Sequence, residues 1–101
     1  MNGKPQPVEY LFEHEMQPTT PGPGSPIGVN VLVPETNRFR EMYNITTERD
    51  GVHATDIVLF NFTAAHEPSG TRVKLAFWDR GASDVTAHTY RIVAMIKFEG
   101  A

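Results

Sequence analysis

The side chains best placed to do chemistry are four histidines, His14, His53, His66 and His88, among twelve Asp and Glu residues. In a chain without cysteine, imidazole and carboxylate are the only route to a transition-metal site. Their spacing does not build one. Neither H-x-H nor H-E-x-x-H occurs, and Glu13 and His14, adjacent on a strand, point to opposite faces. The four read as ordinary surface or half-buried histidines. The alternative is a pocket in which His53 and His88, on segments able to pair in a sheet, converge with Tyr90 and nearby carboxylates, with or without a metal.

Other catalytic signatures are weaker. The serines Ser25, Ser69 and Ser83 fall in turn-rich segments, and no G-x-S-x-G is present. Ser69 lies near His66 and Glu67, but Pro68-Ser69-Gly70 is explained by turn formation. Gly22 and Gly24 stand among prolines, with no following lysine to cradle a phosphate. No catalytic residue and no cofactor is nominated, and the reading leans away from an enzyme.

A binding surface is a better prospect. Arg72, Lys74 and Trp78 share one face of a strand, and Arg91, Met95 and Lys97 share one face of the next. Should these strands pair, four cations and an indole form a single patch. The bland alternative is a solvated face covered by long side chains. With nine basic against twelve acidic residues, nucleic acid is disfavoured as a partner and a protein is the better one. Trp78 is the natural anchor, since Trp is enriched at interfaces. Asn44-Ile45-Thr46 and Asn61-Phe62-Thr63 match the glycosylation acceptor pattern. With Met1 to Pro7 polar and lacking an apolar core, no signal peptide is expected, and both matches read as chance.

The elements that must position these residues are strands. Tyr90, Ile92, Ala94, Ile96 and Phe98 alternate with Arg91, Val93, Met95 and Lys97, the period-two signature of a sheet. Val8 to Glu15 alternates too, as an edge-compatible strand. Ile27 to Val33 is a second strand, ended by Pro34. The Pro- and Gly-rich stretch 17–26 is an extended arm or loop. Pro34 to Tyr43 is the only helix candidate, with a loop as its rival. Asp50-Gly51 marks a hairpin turn between Met42 to Thr47 and Val52 to Thr63. Along the second arm the apolar residues change face near 57–60, which indicates a central strand or a bulge. Thr71 to Trp78 points Val73, Leu75 and Phe77 inward. Together with the strand before it and the last one, it reads as a three-strand meander.

These elements predict one all-β domain over 1–101, an antiparallel sandwich or small barrel of six to seven strands, with at most one short helix near 35–43. No apolar run approaches the roughly 20 residues of a membrane helix, so no membrane is expected and an intracellular or virion-like setting is. The leading expectation is a non-enzymatic assembly module, homo-oligomeric, because apolar residues stand on both faces of the strands. The alternatives are the His53/His88/Tyr90 pocket and an inhibitor or adaptor docking its Trp78 face.

Overall fold

The computed structural model describes residues 6–20, 26–82 and 86–100. Seven strands form two antiparallel sheets: β1 (Val8–Glu15), β2 (Ile27–Val33), β3 (Phe39–Arg49), β4 (Val52–His53), β5 (Ile57–Glu67), β6 (Gly70–Asp79) and β7 (Tyr90–Phe98). The first sheet runs β1-β7-β3-β4 and the second β2-β6-β5. Their apolar faces meet in a core of Phe12, Ile27, Val29, Val33, Val73, Leu75, Phe77, Tyr90, Ile92, Ile96 and Phe98. The chain is a β-sandwich. No described residue is helical, and no helix is long and apolar enough to cross a membrane. The candidate helix at 34–43 is instead a short connection leading into β3, because Phe39 and Met42 take inward positions opposite Phe98 and Ile96.

Alternation places the core. In β7 every second residue from Tyr90 to Phe98 is buried, and β1 and β2 alternate with the same period, with Phe12 buried and Val8, Tyr10 and Val31 half-buried. The β3–β4 hairpin closes through Asp50 and Gly51 at φ 54° and 80°. Both positions need a left-handed backbone, which Asp tolerates and Gly adopts freely. Thr47 then holds the chain after β4: its backbone carbonyl accepts the Ala54 N–H, and its Oγ1 donates to the Ala54 carbonyl, both at 2.9 Å.

Two expectations change. The long arm from Val52 to Thr63 is two strands, β4 in the first sheet and β5 at the edge of the second. The face change in its sequence marks this crossover, and a bulge between Phe60 and Thr63 adds to it. The three-strand meander is also undone. β5 and β6 pair, but β7 belongs to the opposite sheet, between β1 and β3. Asp79 bends the chain away at the end of β6 by accepting the Gly81 and Ala82 amides at 3.0 and 3.1 Å, so the connection crosses between layers instead of turning tightly. Of the arm at 17–26, residues 21–25 lie outside the described residues, as does Ser83. The start of that arm runs beside β7, with the Met16 amide on the Tyr90 carbonyl and Thr19 bridged to His88.

Candidate functional site

The register settles what each sheet presents to solvent. Across the first sheet the outward rows are Glu9–Lys97–Glu41, then Leu11–Met95–Tyr43, then Glu13–Val93–Thr46, then Glu15–Arg91–Glu48. Each end row sets a β7 cation between carboxylates of β1 and β3, and the two middle rows carry the apolar side chains. Arg91 pairs with Glu13 at 3.2 Å and Glu48 at 3.4 Å, and Lys97 with Glu41 at 3.6 Å. Tyr43 donates its hydroxyl to Glu9, and that bond raises its pKa. The paired rows of this face hold five carboxylates against two cations, Arg40 is exposed at the bulge beside Glu41, and Leu11 in the middle is 53% exposed.

The outer face of the second sheet has the opposite balance. Its rows are Trp78–Val58, Gly28–Ala76–Phe60, Asn30–Lys74–Thr63 and Leu32–Arg72–Ala65. The Trp78 ring lies 4.6 Å from that of Phe60, with the Arg80 guanidinium 5.5 Å from its centroid. Arg72 grips Glu67 with two bonds, Nε at 3.0 Å and Nη2 at 3.2 Å, which holds the Glu67 carboxyl below the usual range. Arg72, Lys74 and Arg80 thus stand against one carboxylate. The single patch expected from Arg72, Lys74, Trp78, Arg91 and Met95 does not form. Arg72, Lys74 and Trp78 lie on one outer face, and Arg91 and Met95 on the other, because β6 and β7 stack as opposite layers.

Of the alternative pocket residues, His88 lies beside Tyr90, and His53 sits on the β3–β4 hairpin. His53 pairs with outward Glu48 on the first sheet. Tyr90 points inward and donates to Asp79 Oδ2 at 2.7 Å. His88 stands near Tyr90, ring centroids 6.3 Å apart, with Nδ1 2.6 Å from Asp50 Oδ2. That contact, and the Thr89 amide on Asp50 Oδ1, depress the Asp50 pKa. Among the described residues no group of three or more His, Asp or Glu side chains is arranged to hold a metal ion.

No protein-family model, curated protein or solved structure matches this chain. What it does must be argued from its own geometry.

Two features of that geometry have no local sequence signal. The first is a polar clasp inside one end of the sandwich. Asp79, with no side-chain exposure, receives Arg49 Nη1 at 2.7 Å, the Tyr90 hydroxyl and the two turn amides, while Arg49 also reaches Asp56 at 3.2 Å. Arg49 and Tyr90 belong to the first sheet and Asp79 to the second, so the clasp fixes the layers to one another. The second is the Thr86–His88–Asp50 series. It runs hydroxyl, imidazole, carboxylate, the order of a nucleophilic relay. Its hydroxyl-to-Nε2 distance is 3.4 Å, long for proton transfer. The backbone of His88 is bonded both ways to Thr19, which makes the residue a tie between the β1–β2 connection, the β3–β4 turn and β7.

The open side between β3 and β5 holds an apolar hollow of about 230 Å³ lined by Met42, Ile45, Leu59, Phe60, Phe62 and Leu75. Both glycosylation-pattern triplets sit there at β-bulges. Asn44 and Asn61 take φ 53° and 55°, and in each case the next residue, Ile45 or Phe62, turns toward the hollow. Asn tolerates this backbone and Thr suits the strand that resumes. The bulges explain the repeated Asn-apolar-Thr pattern without any glycan, and they bend both strands, which discourages edge pairing.

Proposed function

We propose that this protein is a non-enzymatic assembly module that acts by associating with further copies of itself through its outer sheet faces. One observation carries the reading. Both outer faces of a domain that already has its core keep apolar side chains together, bordered by charge: Leu11, Val93 and Met95 with Tyr43 on one, Val58, Phe60 and Trp78 on the other. Scattered surface apolar residues are normal, but a clustered set rimmed by polar groups marks interaction surfaces. Sedimentation velocity over the micromolar range tests it. The sedimentation coefficient should rise with concentration, and a monomer throughout removes the proposal.

A second reading has its own observation. The Trp78 indole N–H is buried without an acceptor among the described residues, and its ring lies 4.6 Å from that of Phe60 and 5.5 Å from the Arg80 guanidinium. Turned outward, the indole would meet a partner's carbonyl, as when Trp anchors an adaptor on a different protein. Trp78→Ala should then abolish capture of that partner with the fold intact, and unchanged capture refutes this reading.

A further inference from the structure

Resting on the self-association reading, we infer that the contact is heterologous: the acidic outer face of β1-β7-β3 in one copy seats on the basic, aromatic outer face of β2-β6-β5 in the next. The occupant of each face is a second copy of this chain, and charge decides which face it offers. The acidic face sets five carboxylates against Arg91, Lys97 and the exposed Arg40 at the bulge beside Glu41. The basic face sets Arg72, Lys74 and Arg80 against Glu67. Like faces brought together repel, net negative against net negative in one pairing and net positive against net positive in the other. Only unlike faces attract, and electrostatic complementarity of this kind selects partner and register. In the same pairing the apolar rows of the acidic face, Leu11, Met95 and Val93, lie over the apolar end of the basic face, Phe60, Val58 and Trp78.

The layers fix the form of the assembly. The two faces lie on opposite sides of one sandwich, so every copy that docks leaves a fresh face exposed. A heterologous contact of this type builds a ring if the rotation closes and a filament if it does not. Sheets stack about 10 Å apart, so each copy adds about 20 Å along the stack. Three strands spaced about 4.8 Å apart and about 30 Å long cover roughly 400 Å² per copy. That is about half the standard protein–protein contact, so assembly is weak and reversible. With a screening length of about 8 Å at physiological salt, it is also salt-sensitive.

The test uses two charge-reversed proteins and sedimentation velocity, with thermal melts confirming that each folds. Glu15→Lys with Glu41→Lys reverses two acidic-face positions, and Lys74→Glu with Arg80→Glu reverses two on the basic face. The expected result is that the wild type associates, that association weakens at least tenfold from low to high salt, and that each variant alone is monomeric. Mixing the two variants at equal concentration should restore association, because every contact in the mixture again joins unlike charges. If either variant alone associates like the wild type, or the mixture stays monomeric, the heterologous contact is wrong while self-association stands. If the wild type itself is monomeric throughout, both fall together.

Discussion

Replacing Asp79 tests the clasp that joins the two sheets. Its carboxylate is fully buried and receives four donors: Arg49 Nη1, the Tyr90 hydroxyl and the amides of Gly81 and Ala82. In Asp79→Ala the two amides lie near the surface and can turn to water. Arg49 keeps Asp56 and is partly exposed, so its charge is not stranded. The Tyr90 hydroxyl has no such escape, since Tyr90 is 1% exposed. Leaving one buried donor unmet costs about 1–3 kcal/mol. Breaking a buried ion pair costs about 3–5 kcal/mol, and the low end applies because Arg49 retains a partner. The expected loss is therefore about 3 kcal/mol out of a total of about 5–15 for a domain of this kind. At about 4–8 °C per kcal/mol, the midpoint should fall by roughly 12–24 °C. Urea denaturation measures the loss directly, and Tyr90→Phe gives the scale of one member, about 1 kcal/mol. In a double-mutant cycle the two changes should couple. A loss below about 1 kcal/mol for Asp79→Ala would refute the reasoning, because the clasp would then be no stronger than a surface contact.

Asn61→Val should cost about 1–2 kcal/mol in urea melts, because a β-branched residue resists the left-handed bulge, while Asn61→Gly should stay within about half a kcal/mol of wild type. Gly70→Ala should destabilise by about 2 kcal/mol or more: at φ 156° its Cβ would stand 2.1 Å from the Val33 carbonyl oxygen, and backbone strain of this order is rarely absorbed. Stability should also fall as pH rises above 10. Burial, then the bond to Asp79, raises the Tyr90 pKa, so the unfolded chain releases that proton first and the stabilisation is lost on the alkaline side, at up to about 1.4 kcal/mol per pH unit. Tyr90→Phe should flatten the alkaline limb. On the acid side Asp50, Asp56 and Glu67, depressed by hydrogen bonds from His88, Arg49 and Arg72, contribute stability above their ordinary range that is lost as pH falls through their lowered values.

Strand positions were legible wherever one face is buried and the other solvated. β1 and β2 lie where alternation placed them, and Asp50-Gly51 makes the turn that its residue types demand. Between the two readings left open at 34–43, helix or loop, the sequence could not choose, because Phe39 and Met42 have a spacing that fits a helix turn as well as a bulged strand. The bulge between Phe39 and Glu41 resets the face, and a periodicity argument cannot see an inserted residue. The break at Ala54 to Asp56 was visible as a change of face but not as a change of sheet. Its cause is remote: Asp56 is held across the sandwich by Arg49 of the first sheet, while its carbonyl accepts the Arg80 amide and so extends the β5–β6 pairing.

The candidate surface shows the same limit more sharply. Alternation correctly turned Arg72, Lys74, Trp78, Arg91 and Met95 outward, yet it could not say on which side of the molecule. Inside and outside are local properties of a strand, set by which residues water rejects. The partner layer is set by connection length and by the clasp at Asp79, which lies 30 residues along the chain from Arg49. Had β6 and β7 paired, their cations would have pooled into one basic patch in an acidic protein. Because they stack instead, β7 delivers its two cations among glutamates of β1 and β3, and β6 sets Arg72 and Lys74 beside a single carboxylate, Glu67. The polarity of the sandwich is thus a consequence of topology, and it converts a chain with a modest net charge into an object with two unlike faces. A reversal of charge on one face should therefore change association far more than the same net change made at the ends of the sandwich, and that comparison separates face recognition from bulk electrostatics.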